Sequence, residues 1–384
     1  MGGFFLPRKV VIVGGGPSGA SCAYTIAKAG LPVIVIEKSR PPRDKLCGGG
    51  LTQKTLRFLR ARNLLRDDLI RSECYEMENV FANGSVISIE SSKPIVSVVH
   101  RNDFDKHLLD SAGDAGAEIS TEESFRGVEL GETLTVRTNK RNISADYLVG
   151  ADGVNSSVAK SAILWEHWPT LRTALGIECD VPIGDFNPQK VRVQFGDYTG
   201  YIWEFPRGEV LDVGIIGDMS DASLHGRIQS FMQFNGYTGR IKGWHLPVAG
   251  VGRMPTATRN RVLLVGDASG AVDPWFGEGI YYALLSGEQA AHSIIAGSNA
   301  QSTYQASYRK FWNDMVWAKR FAQLFFNHNS FVPFFLANDK KLQSLLIQLL
   351  SGEISFRELF IRTTLRAPTS AAKFWLNRAI PARS

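Results

Sequence analysis

Apolar and polar positions follow two different periods along this chain. Val10-Val11-Ile12-Val13 and Val33-Ile34-Val35-Ile36 are unbroken apolar runs, the pattern of strands buried on both faces, and Lys9 to Glu37 reads as strand, helix, strand. Leu51 to Arg66 carries Leu and Phe at helical spacing. Tyr75–Phe81 and Val86–Ile89 alternate as a hairpin around Asn83-Gly84. Arg101 to Ala117 predicts an amphipathic helix, and Ile119 to Val149 three short strands with polar turns. From Thr170 to Pro247 the strands lengthen and carry aromatic residues, as in Val191–Phe195, Tyr201–Phe205 and Leu211–Gly217, which predicts an antiparallel sheet. A buried parallel-type strand returns at Val262–Gly266. After Gly279 a long helix begins, and the rest reads as helical, rich in Phe and Leu around Phe321–Leu336 and Leu342–Leu350.

The fold class is α/β. A nucleotide-binding domain of 1–75, 95–165 and 255–300 is expected, interrupted by an antiparallel-sheet substrate domain of 76–94 and 166–254, with a helical region at 301–384. The 384 residues are 44% hydrophobic and 21% charged, enough for several packed regions. The net charge of +6 is scattered, so nucleic acid is not indicated, while diphosphates or anionic head groups would suit it. Cys22, Cys47, Cys74 and Cys179 lack metal or disulfide spacing; no metal site is expected, and a reducing cytoplasm is. No run of apolar residues is long enough to span a membrane. The apolar run after Arg8-Lys9 imitates a signal peptide but is better explained by the glycine pattern that follows it, and Leu6 stands where a myristoylation signal needs Ser or Thr.

That pattern is Gly14-x-Gly16-x-x-Gly19 between a strand and a helix. Gly14 permits the turn, Gly16 lets backbone touch a pyrophosphate at the helix N-terminus, and Gly19 lets the helix press on its strand. Glu37 closes the second strand, where a carboxylate accepts both hydroxyls of an adenosine ribose. Pro17 and Lys38 flank these positions and belong to the same expected contacts. Asp152, between Gly150 and Gly153, sits in a turn where it supports nucleotide-proximal backbone. Asp267 ends a strand where it can accept a hydroxyl from a linear sugar-alcohol chain. Nicotinamide dinucleotides have no such chain and flavin adenine dinucleotide has one, so the third acid favours FAD. Gly277-Glu278-Gly279-Ile280 then opens a second helix, whose dipole would stabilise negative charge on a reduced flavin.

In combination these segments resemble the FAD enzymes of the para-hydroxybenzoate hydroxylase fold, and within them the geranylgeranyl reductase family, from about Val10 to Gln289. Lys45-Leu46-Cys47-Gly48-Gly49-Gly50 is similar to that family's Cys-Gly loop beside the flavin, and Tyr201-Ile202-Trp203-Glu204-Phe205-Pro206 to its Tyr-x-Trp-x-Phe-Pro substrate strand. Two positions depart from the pattern: Tyr198 stands where a Pro is often found, and Gly-x-Gly appears as Gly214-Ile215-Ile216-Gly217. The resemblance implies an FAD-binding domain with an inserted substrate sheet. It also implies flavin contacts from Cys47, Gly48 and Arg101, and reduction of double bonds in a prenyl diphosphate, prenyl lipid or prenylquinone.

Tyr201, Trp203 and Phe205 alternate on one strand and so share a face, which lines an apolar slot or packs in a sheet core. The strand's Pro206 is a further expected substrate contact. An unpolarised double bond needs a proton and stabilisation of positive charge; aromatic faces supply the second, so Tyr201 and Trp203 are catalytic candidates. Cys47 is a candidate proton donor, or a small residue buried in a glycine loop. His100 and His245 qualify only by residue type. With one dinucleotide fingerprint, electrons come from transiently bound NAD(P)H or from an electron-donor protein such as ferredoxin. The basic residues Lys340, Lys341, Arg357, Arg362 and Arg366 among apolar ones fit peripheral membrane contact as well as helix packing. The rival readings are a flavin monooxygenase or halogenase, whose comparable strand is Trp-x-Trp-x-Ile-Pro, and a non-enzymatic prenyl-binding protein.

Overall fold

The computed structural model describes residues 8–162, 173–249, 254–297, 299–327 and 332–365; Leu6, Thr170 and Arg366 lie outside them. The two apolar runs pair in parallel at the middle of a six-stranded sheet. Its order is Thr258–Arg259, Val262–Leu264, Tyr147–Gly150, Val10–Val13, Val33–Glu37, Glu118–Thr121, parallel except for the first pair. All of Val10–Val13 and Val33–Glu37 is buried, which is why neither alternates. The helix Pro17–Lys28 crosses between them and packs on the helix Ile280–Ala296. A Cβ at Gly287 would lie 2.1 Å from the Ser18 carbonyl oxygen, so these helices meet backbone to backbone.

The second sheet has seven strands, in the order Lys242–Pro247, Thr173–Pro182, Val210–Asp218, Gly200–Arg207, Lys190–Gln194, Glu76–Val80, Val86–Glu90. The Asn83-Gly84 hairpin is thus part of the aromatic sheet. Lys190–Gln194 runs parallel to Glu76–Val80, against the expectation of a purely antiparallel sheet. Separate passes of the chain meet there, and no hairpin dictates their direction.

Local differences have local causes. Residues 118–150 hold five strands rather than three, because Phe125–Glu129, Leu134–Thr138 and Asn142–Ala145 form a small sheet of their own. The helix expected over Leu51–Arg66 covers Gln53–Arg60, since Gly50–Thr52 pairs as a strand and Asn63 turns left-handed at φ 56°. The helix at Arg101 ends at Asp114. A helix at Leu224–Phe234 interrupts the stretch read as strands and buries Leu224, Ile228 and Met232 against the seven-stranded sheet, at a spacing the sequence does carry. Beyond Ile280–Ala296, helices occupy Ala300–Asn327, Val332–Asn338, Lys340–Leu350 and 356–365.

Candidate active site

Where the six-stranded sheet faces the seven-stranded one, a continuous cavity of about 560 Å³ opens. Its first half is the turn after Val13. Gly14 has φ 107°, and a Cβ there would lie 2.3 Å from the Ala151 oxygen; a Cβ at Gly19 would lie 1.9 Å from the Gly14 oxygen. The strand, the helix and the Ala151 turn therefore close on one another only with glycine. Gly16 caps the helix with no side-chain hydrogen bond, Pro17 follows, and no acid stands in the first turn. The helix end keeps free N–H groups and a positive dipole toward the cavity. Glu37 is 4% exposed and accepts from Gly15 N (2.8 Å) and Ser39 N (2.9 Å), with Arg43 3.7 Å away. Arg101 is buried and forks onto Asp105 at 2.7 and 2.8 Å.

Asp152 accepts from Ser156 Oγ, Ser157 N (2.7 Å) and Val158 N (3.1 Å); burial pushes its carboxyl up, against those donors. It is committed to the start of the helix Ser157–Ser161 and holds the turn. Asp267 lines the cavity, with Oδ1 3.7 Å from where a Gly279 Cβ would be. Lys38, Gly48, Gly153, Gly277, Gly279 and Ile280 line the same cavity.

Glu278, between the two glycines, is locked from outside. Lys54 Nζ pairs with it at 2.6 Å, Thr52 Oγ1 donates at 2.6 Å, and the ammonium sits 4.8 Å from both the Tyr281 and Tyr282 rings. Asp273 accepts from the N–H groups of Trp275, Phe276 and Glu278, fixing the loop. Sequence reading missed this lock, because Lys54 and Glu278 are far apart in the chain.

The second half of the cavity is apolar. Tyr201, Trp203 and Phe205 all face it, with successive ring centroids 6.2 and 6.5 Å apart. Tyr201 donates its hydroxyl to the Phe276 carbonyl, and burial pushes that hydroxyl's pKa up, so it stays neutral. The Trp203 indole lies across Gly214, where a Cβ would come within 2.1 Å of Cζ2, and Trp244 lies likewise across Gly176 at 2.7 Å. Pro206 is not among the lining residues; the period of two turns it to the face opposite Tyr201, Trp203 and Phe205. His100 and His245 do not line the cavity either, and burial lowers the pKa of His100. Phe321 and Phe325, from the helix Ala300–Asn327, pack on Trp275 at 4.5 and 5.4 Å, so this helix backs the wall.

The Cys47 loop joins the halves. A Cβ at Gly48 would meet Phe205 at 3.0 Å and Trp203 at 3.2 Å, so loop and wall are in contact. Cys47 N donates to Glu178 Oε1 (3.0 Å), its carbonyl accepts from Arg207 Nη2 (3.0 Å), and its Sγ accepts from Gly49 N (3.4 Å). Glu178, Asp212 and Arg207 carried no sequence signal, since charged residues on alternating strands look solvent-facing. Among the described residues no cluster suits a metal ion, and no helix is long and apolar enough to cross a membrane.

The polar groups fit FAD: the N–H donors of an uncapped helix end with glycine-only approach suit a pyrophosphate, and the carboxylate acceptors of buried Glu37 and of Asp267 suit a ribose and a ribityl hydroxyl. Comparison with known proteins agrees. Residues 8–183 match the FAD binding domain family. An uncharacterised protein of Methanosarcina barkeri is 30% identical, covering 80% of each chain. The geranylgeranyl diphosphate reductase of Rhodobacter capsulatus is 29% identical over 74% of each. The crystal structure of a geranylgeranyl bacteriochlorophyll reductase-like protein from Thermoplasma acidophilum superposes with a TM-score of 0.68 at 23% identity, covering 89% of this chain and 91% of that one, and so shares the fold. With its fold, its nucleotide cleft and its relatives in agreement, the chain belongs to the geranylgeranyl reductase family of FAD-dependent oxidoreductases.

Proposed function

We propose that the protein saturates isolated double bonds of a prenyl chain carried on a diphosphate or a lipid. The observation that carries this reading is the contact of Gly48 with Phe205 and Trp203, which makes the nucleotide cleft and an aromatic, apolar wall one cavity. FAD would be held by Gly14, Gly16, Pro17, Gly19, Glu37, Lys38, Gly48, Arg101, Asp152, Gly153, Asp267, Gly277, Gly279 and Ile280, and once reduced it supplies a hydride. In this reading Gly19 and Asp152 act through the backbone they hold. Tyr201, Trp203 and Phe205 bind the chain and turn ring faces to the positive charge that develops on it, each contributing roughly 0.5–2 kcal/mol. The apolar wall excludes water, which would otherwise capture that charge. Cys47 holds the proton at Sγ, and the Gly49 N–H stabilises the thiolate left behind.

The discontinuous domain division given above belongs to this reading, as does an electron donor, NAD(P)H or ferredoxin, that binds transiently. Contact with a bilayer surface, argued from exposed Leu324 and Leu365 beside basic residues, is tested by sedimentation with anionic vesicles, and protein left in the supernatant would sink it. The main test is anaerobic incubation of the dithionite-reduced protein with geranylgeranyl diphosphate, followed by mass spectrometry. The expected result is product heavier by two hydrogens per bond; an unchanged prenyl pool, or turnover only with oxygen, refutes the reading.

A further inference from the structure

Behind the aromatic wall lies a buried charged cluster. We propose that Glu178, acting as a neutral carboxylic acid, and Arg207 together position the Cys47 loop against that wall. The proposal rests on the reductase reading for its consequence in turnover, though not for its geometry.

The Cys47 peptide is gripped at both ends, its N–H by Glu178 Oε1 at 3.0 Å and its carbonyl by Arg207 Nη2 at 3.0 Å. Arg207 also pairs with Asp212 Oδ2 and, at 3.3 Å, with Asp180. Asp212 takes the Trp203 indole N–H on its other oxygen. One network therefore sets the loop and the wall together. Asp212, with a donor on each oxygen, carries the negative charge. Glu178 is 6% exposed, and its Oε2 has no hydrogen-bond partner among the described residues. A bare anionic oxygen there is costly, so Oε2 is where the proton resides and Oε1 remains a carbonyl-type acceptor. Burial and the Asp212 charge push this carboxyl up to about 8, in the same direction.

The groups facing Glu178 are Asp212, Asp180, Arg207 and the Cys47 loop, with exposed Lys242 in register on the neighbouring strand and His100 near Arg207 and Asp180. Loss of the Glu178 proton sets a third carboxylate against one guanidinium. Arg207 is then drawn from the Cys47 carbonyl while the ionised Oε1 accepts more strongly from the Cys47 N–H, so the grip shifts from the carbonyl end to the N–H end. Glu178 touches no reacting atom and is a positioning residue.

The test is amide hydrogen exchange of the peptide containing Cys47, measured by mass spectrometry on the flavin-loaded protein and corrected for intrinsic rates. In Glu178→Gln, which keeps the acceptor and places an amide where the hydroxyl stood, protection at neutral pH stays near the wild-type value. In Glu178→Leu exchange is faster by about tenfold, the worth of one ordinary hydrogen bond. Raising the pH from about 7 to about 9.5 raises protection of the Cys47 N–H in the wild type, as Oε1 becomes a charged acceptor, and not in Glu178→Gln. Prenyl reduction declines less steeply on the alkaline side in Glu178→Gln than in the wild type, the part of the decline that remains in Glu178→Gln being that of the Cys47 proton donor. Wild-type protection unchanged across that range, or Glu178→Gln as unprotected as Glu178→Leu, overturns the proposal. If Glu178→Leu does not fold, the other two proteins still decide it. Exchange as expected in a protein that reduces no prenyl substrate supports this proposal and sinks the functional reading instead.

Discussion

Gly214→Ala tests whether the indole of Trp203 has to lie flat on the sheet. The new methyl carbon would stand 2.1 Å from Trp203 Cζ2 and 2.5 Å from Cε2 and Cη2. Carbon atoms settle at about 3.5–4.0 Å, so the ring must withdraw by roughly 1.5 Å. Trp203 Nε1 sits 2.5 Å from Asp212 Oδ1, and a retreat of that size takes the pair beyond about 3.5 Å, the limit of a useful hydrogen bond. Overpacking costs about 1–3 kcal/mol, and loss of a hydrogen bond to a charged acceptor about 1.5–3 kcal/mol more. Because the two strains relax together, the sum is below their total, on the order of 3 kcal/mol. Flavin content, thermal unfolding and prenyl reduction are measured on one preparation. Bound flavin is expected to stay near wild type, because Gly14 and Glu37 belong to the other sheet, while Tm falls by several degrees and turnover by at least about tenfold. Gly226→Ala is the control, a helical position with nothing within 4 Å of its Cβ, and is neutral or slightly stabilising. Wild-type turnover and Tm in Gly214→Ala would refute the reasoning.

Three further outcomes follow from the same geometry. Lys54→Met leaves Glu278 buried beside Asp273 without its cation, a loss of about 3–5 kcal/mol, and is expected to lower Tm and release flavin, read as absorbance after gel filtration; a variant that keeps both contradicts the loop lock. Gly19→Ala drives a Cβ to within 1.9 Å of the Gly14 oxygen, backbone against backbone, and should purify colourless; a yellow, flavin-loaded variant refutes the glycine-only approach. Glu178 is held protonated up to about 8 against an ordinary 4.5, so between those values the folded chain binds more protons than the unfolded one and stability falls as pH rises. His100 and His107, whose pKa values burial lowers from 6.5, act with the opposite sign only below that value. Tm should therefore decline from about pH 7 to 8.5, by the equivalent of roughly 1 kcal/mol, and decline less in Glu178→Gln; a rise over that interval is incompatible with a neutral Glu178.

The nucleotide half of the site was legible because its constraints are local. Gly14, Gly16 and Gly19 serve a turn a few residues long, and Glu37 ends a strand whose apolar run announces it. The aromatic wall was half legible: alternation placed Tyr201, Trp203 and Phe205 on one face, yet a sheet core has the same alternation. Only the contact with Gly48 shows which cavity that face enters. What stayed hidden depends on register between strands distant in the chain. Trp203, Gly214 and Glu178 form one row across three strands, and nothing in any single segment says that a glycine makes room for an indole there. The Lys54–Glu278 lock was hidden for the same reason.

Flavin reoxidation without oxygen tests the central claim most directly. The purified, flavin-loaded protein is reduced anaerobically with just enough dithionite, and geranylgeranyl diphosphate is added while flavin absorbance is followed. The account predicts that the oxidised spectrum returns with one double bond saturated per flavin reoxidised. A flavin that stays reduced until air is admitted would contradict it.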